Sequence, residues 1–329
     1  MNQDLHHGMV HTLSRWAGLT PEQAYRVSNA SQFIDDNIGG TDIKFSNGNE
    51  FKAIRTCMSA ITVDDFKSQP VKDAWLCHHF LPASMDASYR CQKGSKVAYD
   101  MMTEMRNKFA PDNLEALGAG LHTFCDTWSH QGFSGVVCNE NKATTAYASL
   151  LEKIQAMAVY ELCALGHGTV LHYPDYPYMQ AFTYTYNNGE SHTRDNSAAF
   201  IEAADESYKQ IQMWVGKVPV GLTDNQKALL LKCMLENKYD DSDPAYGDGY
   251  WQKKLAGGTL TGQPETMTQY DANTKWLDQA LNGIAALDKN LPVWNDNFTK
   301  TSWYNFFTAA NYMNQILYSN VFPENNITF

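Results

Sequence analysis

Apolar residues recur every three or four positions along most of this chain, and the elements such a period predicts are helices. Met9, Val10, Leu13, Trp16 and Ala17 form one stripe, closed by Gly18. The next segment, "LTPEQAYRVSNASQF", opens with Thr20 as an N-cap, Pro21 in the first helical position and Gln23 three residues after the cap. Further helices are predicted over 64–77, 95–109, 112–131, 142–165, 196–216, 222–237, 270–288 and 300–320. Within 112–131, Leu114, Leu117, Leu121, Phe124 and Trp128 make a core seam at alternating spacings of three and four. Near the C-terminus, Trp303, Phe306, Phe307, Tyr312 and Ile316 repeat at helical spacing, which predicts a helix packed on the core rather than a lipid-facing one. The strand pattern of "AFTYTYN" is expected to form one edge of a small hairpin. Stretches rich in Gly, Asn, Asp and Pro predict loops at 37–50, 82–94, 132–141, 171–195 and 238–268. The expected fold is all-α with long loops and at most a small β-hairpin. A catalytic domain over 1–240 carries a C-terminal helical extension over 241–329, packed on the same domain.

Composition narrows the function classes. The apolar runs, such as Ala228–Leu231 and Leu162–Leu165, fall far short of the roughly 20 residues that span a bilayer, so no transmembrane segment is expected. A net charge of −11, with 25 Lys plus Arg and no basic cluster, argues against nucleic acid as a partner. Part of the acidic excess is expected to be metal ligands, which count here at their bare charge. The seven cysteines form no CxxC pair, which excludes a zinc ribbon and a thioredoxin-type redox motif, and their odd number leaves at least one free thiol. "MNQDLHHGMV" lacks the apolar region of a signal peptide. The low share of charged residues, 19%, suits a secreted or exported protein whose signal is absent or already removed, with the cytoplasm as the alternative.

The chemistry concentrates in "LHTFCDTWSHQGFSG", where His122, Asp126 and His130 stand at four-residue intervals. On a helix each such step turns the side chain by about 40°, so the three lie along one ridge beside the apolar seam. Other candidate ligands cluster in short motifs: Asp4, His6 and His7 in "DLHHG"; Asp35 and Asp36 in "ASQFIDDN"; His79 in "CHHF"; and His167, His172 and Asp175 in "LGHGTVLHYPDYP". His with Asp, without cysteine pairs, is the ligand mix of hydrolytic zinc and, less readily, of manganese or iron. Rival scaffolds lack their signatures. The chain contains no Glu-x-x-His, no HExxH and no GxxxxGK[ST], and "GFSG" does not have the spacing of a nucleophile elbow.

These motifs, in this order, resemble the zinc-dependent phospholipase C superfamily, which also includes single-strand-specific fungal nucleases. "DLHHGMVHTLSRWAGL", "ASQFIDD", "HHFLP", "LHTFCDTWSHQGFSG" and "GHG…HYPDYPY", within residues 4–178, resemble its bacterial and fungal metallophospholipase branch. The resemblance implies two or three zinc ions. One would take Asp35 or Asp36 with His79, His122 and Asp126; a second would take His6 or His7 with Asp126 as a bridge. A third would take His130, His167 and Asp175, with His172 as an alternative to Asp175 and Asp4 as a stand-in for the superfamily's N-terminal chelate. It implies hydrolysis of phospholipid phosphodiesters through a metal-activated hydroxide, with Asp35 or Asp36 orienting or deprotonating the water, and transient contact with a membrane surface. The alternatives are a zinc nuclease or phosphatase on the same scaffold and a non-catalytic, metal-stabilised binding module. Five tyrosines from Tyr173 to Tyr186 offer aromatic faces to a choline-like cation, or simply pack an irregular loop.

Overall fold

Side-chain caps start most of the helices where the sequence signals them. In the structure, a computed structural model that describes residues 2–39, 42–58, 69–84, 89–162, 164–237, 248–271, 274–281 and 296–329, the chain begins with a π-helical turn, Asp4–Met9. This turn runs directly into α1 (Val10–Trp16), so the first helix starts earlier than its apolar stripe predicts and takes His6 and His7 with it. α2 (Pro21–Asp36) has the reciprocal Thr20–Gln23 capping box. After a two-stranded ribbon, β1 (Ile43–Lys44) and β2 (Glu50–Phe51), come α3 (Gln69–His78), α4 (Lys96–Phe109, capped by Ser95) and α5 (Leu114–Ser129, capped by Asn113). The parts of the predicted helices at 64–68 and 282–288 lie outside the described residues.

α5 is the axis of the fold. All of its residues, from Leu114 to Ser129, are buried, and the predicted seam from Leu114 to Trp128 lies in the main apolar core. α2 crosses α5 so closely that a Cβ added at Gly118 would stand 2.1 Å from the Val27 carbonyl oxygen and 3.0 Å from the Ser31 nitrogen. The same approach brings the α5 side chain of His122 to the α2 carbonyl of Ser31, at 2.7 Å. Gly118→Ala is therefore expected to destabilise the protein by about 3 kcal/mol, read as a lowered urea midpoint at unchanged slope.

The predicted helix over 142–165 divides into two elements. Ala143–Thr145 is a strand, β3, and α6 (Leu150–Leu162) begins only after a Ser149–Glu152 box in which the Glu152 amide donates to Ser149 Oγ at 3.1 Å. β3 pairs with β4 (Phe182–Tyr186), which pairs in turn with β5 (Ser191–Arg194), so "AFTYTYN" supplies the centre of a three-stranded antiparallel sheet and not an edge. α7 (Asn196–Trp214), α8 (Asp224–Glu236), α9 (Asp248–Ala256), α10 (Thr274–Ala280), α11 (Ser302–Ile316) and α12 (Phe322–Glu324) complete the chain. α9 falls inside the predicted loop 238–268. Its Trp251 packs on Gly8 of the π turn, and Trp251, Leu255 and Met313 share one core with Leu13 and Leu117. Trp303, Phe306, Phe307 and Ile316 are buried, as the helical spacing predicts, while Tyr312 is half-buried at the edge of the core. Among the described residues six cysteines are free thiols, Cys163 lying outside them, and no helix is long and apolar enough to cross a membrane.

Candidate metal centre

α2, α5, the π turn and the residue after α3 converge on one carboxylate. Asp126, fully buried on α5, has Oδ1 3.1 Å from His6 Nε2, and Oδ2 3.2 Å from His122 Nε2 and 3.3 Å from His79 Nδ1. Asp35, at the end of α2, places Oδ1 3.6 Å from His79 Nδ1 and 3.7 Å from His122 Nε2. The His6 and His122 rings stack at 3.8 Å. Beyond the end of α5, His130 Nε2 and His167 Nε2 lie 3.4 Å and 3.3 Å from the two oxygens of Asp175. Among the described residues three groups thus offer donor atoms within 4.8 Å of one another: His6, Asp35 and His122; His79, His122 and Asp126; and His130, His167 and Asp175.

The remaining sequence candidates sit elsewhere. Asp36 is exposed, accepts from Gln32 Nε2 at 3.2 Å and is hydrogen-bonded by Tyr270. Asp4 is buried in the π turn, and His7 lies edge-on to Tyr25 and Tyr270. His172 is at the cavity rim with its side chain 78% exposed, 4.0 Å from Asp175.

Four of the histidines are held in a way that suits metal ligation. His122 Nδ1 donates to the Ser31 carbonyl at 2.7 Å, His79 Nε2 to Thr56 at 2.9 Å, His130 Nδ1 to His79 at 2.7 Å and His167 Nδ1 to Leu171 at 2.6 Å. A carbonyl only accepts, so each bond places the proton on the outer nitrogen and turns the other nitrogen's lone pair towards the carboxylates. His79 Nδ1 and His122 Nε2 are then two lone pairs 3.3 Å apart, facing carboxylate oxygens. Such a group of acceptors is stable only around a proton or a cation. Borderline nitrogen and hard oxygen donors with no thiolate among them fit zinc or a similar divalent ion.

The electrostatics agree with this arrangement. Burial alone would lower the pKa of His79, yet it stands well above the ordinary value because Asp126 and neighbouring groups hold the proton. Burial would raise Asp126, but His130, His122 and His6 hold it well below the carboxylate range. His167, without such a surplus of negative charge, is pushed by burial down to about 4.

Over residues 1–321 the chain matches a family described as "Family of unknown function (DUF6765)". It belongs to DUF6765. No curated protein and no solved structure matches it.

The centre opens into a cavity of about 470 Å³ lined by Asp35, His79, His130, His167, His172 and Asp175 and, packed among them, by Trp75, Phe80, Val159, Leu165 and Leu171. Phe80 stacks on His130 at 4.3 Å. It also fills the space beside Gly166, where an added Cβ would stand 2.2 Å from the Phe80 ring. Gly166 has φ +52°, so only glycine suits both its backbone and its neighbour, and the turn brings the next residue, His167, to the cavity. Trp75, Phe80 and Cys57 line this site although no ligand pattern marks them; Phe80 closes the "CHHF" motif that marks His79, and Trp75 lies two residues before it. Nothing in the sequence marks the carbonyls of Ser31 and Thr56 as histidine anchors. The tyrosines of the 171–186 segment take the packing role: Tyr173, Tyr184 and Tyr186 are buried with Phe133 and Phe182 in a small core behind the cavity wall.

Proposed function

We propose that this DUF6765 protein is a zinc-dependent phosphodiesterase of the phospholipase C type, releasing diacylglycerol and a phosphorylated head group such as phosphocholine. The observation that carries the reading is a buried His/Asp cluster five of whose residues, Asp35, His79, His130, His167 and Asp175, line a cavity that apolar side chains also line. His79, His122 and Asp126 would hold one ion with Asp35, His6 would share Asp126, and His130, His167 and Asp175 would hold another. When bound, zinc supplies positive charge for the phosphoryl oxygens and acidifies water. Asp35, 30% exposed on the cavity side and raised in pKa by burial, is placed to orient water and take its proton. Trp75, Phe80, Leu165 and Leu171 exclude bulk water from the reacting phosphate and give the lipid's glycerol end an apolar surface.

The surface of α6 favours a lipid over a nucleic acid substrate. Leu150, Leu151, Ile154 and Leu162 are 74%, 64%, 58% and 67% exposed. With Met157 they form a stripe on the solvent side of the helix, while Val159 of the same helix lines the cavity. An apolar outer face beside the cavity mouth suits shallow insertion at a bilayer surface, and the net charge of −11 disfavours a polyanion.

The deciding experiment is metal analysis together with a phospholipid hydrolysis assay on wild type and His122→Ala. At least one zinc per chain and chelator-sensitive hydrolysis are expected, both reduced by His122→Ala. Fewer than one zinc per chain with no chelator-sensitive phosphodiesterase activity would overturn the proposal. The α6 argument has its own test. Leu151→Glu with Ile154→Glu is expected to lower turnover of vesicle phosphatidylcholine about tenfold or more, and to leave hydrolysis of a soluble short-chain phosphodiester unchanged.

A further inference from the structure

We infer that Arg194 and Asn196, at the junction of β5 and α7, are positioning residues for the His130–His167–Asp175 site; the inference rests on the metal reading above. The last carbonyls of a helix have no partner within it and carry the negative end of its dipole. At the end of α5, Arg194 Nη1 donates to the Ser129 carbonyl at 2.8 Å and Nη2 to the Trp128 carbonyl at 3.2 Å. The residue that follows is His130, the C-cap of α5. Arg194 Nη2 also reaches the Pro174 carbonyl, at 3.4 Å, and the residue after Pro174 is Asp175.

Asn196 completes the clasp from the first turn of α7. It is fully buried, and its Nδ2 donates to the carbonyls of Tyr173 at 2.8 Å and Tyr176 at 3.0 Å, on either side of Asp175. Two side chains two positions apart thus hold both the backbone that carries His130 and the turn that carries Asp175. The 3.4 Å separation of His130 Nε2 from Asp175 Oδ1 is set from outside the cavity, since neither Arg194 nor Asn196 lines it. His167 is oriented separately, through its own bond to Leu171. The inner cluster around Asp126 takes its histidine anchors from Ser31 and Thr56, neither of which the clasp touches.

Zinc titration of the metal-free full chain, in competition with a chromophoric chelator, tests this on wild type, His167→Ala, Arg194→Met, Arg194→Lys and Asn196→Ala. His167→Ala is expected to remove one binding step. Arg194→Met and Asn196→Ala are each expected to weaken that same step roughly 10–100-fold, leaving the others within about twofold, as removal of supporting hydrogen bonds does at metal sites. Arg194→Lys, which keeps the charge and part of the donor set, recovers part of the loss. In a His167→Ala background Arg194→Met is expected to change zinc affinity no further. A His167-dependent step that neither Arg194→Met nor Asn196→Ala weakens overturns the inference alone, and so does equal weakening of all steps. Identical zinc binding by wild type and His167→Ala overturns the metal reading of this triad and the inference with it.

Discussion

Asp126→Asn is expected to abolish phosphodiesterase activity and to lower zinc affinity by well over the roughly 100-fold that loss of a supporting contact brings. One buried carboxylate faces four imidazoles: His6 at Oδ1, and His122, His79 and, at 3.5 Å, His130 at Oδ2. An amide keeps the shape, loses the charge and turns one acceptor into a donor pointed at nitrogen lone pairs. Desolvating a divalent ion without that charge is unfavourable by several kcal/mol. The control is Asp36→Asn. Asp36 neighbours Asp35 in sequence but is exposed and engaged by Gln32, so its neutralisation should leave zinc affinity within about twofold. Metal analysis and activity on both variants check this, and an Asp126→Asn protein that retains its zinc would refute the bridging role.

Zinc removal is expected to have the next largest effect, on stability. The ligands come from the π turn, α2, the end of α3 and α5, so an ion among them binds only the folded chain. At a free zinc concentration about a thousand times the dissociation constant the linkage is worth about 4 kcal/mol. In a chain of this size that corresponds to a rise of roughly 6 °C in melting temperature on zinc addition, reversed by a chelator. The sign of the proton coupling follows from His79. Its pKa is raised in the metal-free protein, so it carries a proton at neutral pH on the nitrogen that an ion would use. Zinc must displace that proton, and affinity is expected to fall as pH drops. Calorimetry in buffers of different ionisation enthalpy reads the proton released, and zinc binding with no such release would contradict the assignment.

The helices and the ligand types are legible in the sequence because both are local properties. Thr20 and Gln23 begin α2, Thr223 and Gln226 begin α8, and the three-and-four spacing of Leu114 to Trp128 defines the buried face of α5. The His and Asp content of the short motifs points to a metal site before any contact is known. Locality also explains the misreadings. Apolar residues within 142–165 have helical spacing, but Ala143–Thr145 gains its backbone partners from β4, some forty residues away, and periodicity carries no record of them.

Tertiary structure decided which candidates meet. Asp35 and Asp36 differ by one α-helical step of about 100° and His6 and His7 are likewise neighbours on the π turn, and the packing of α2 on α5 and of the π turn on Asp126 selects Asp35 and His6 for the cluster. Packing also settled the tautomers, through carbonyls of Ser31, Thr56, His79 and Leu171 that no motif marks. It left α6 with an apolar stripe in solvent, where the same spacing on α5 and α11 is buried. A hydrophobic period states only that a helix has an apolar face. What that face meets depends on the rest of the chain, because burial and ligand geometry are relations between segments far apart in sequence.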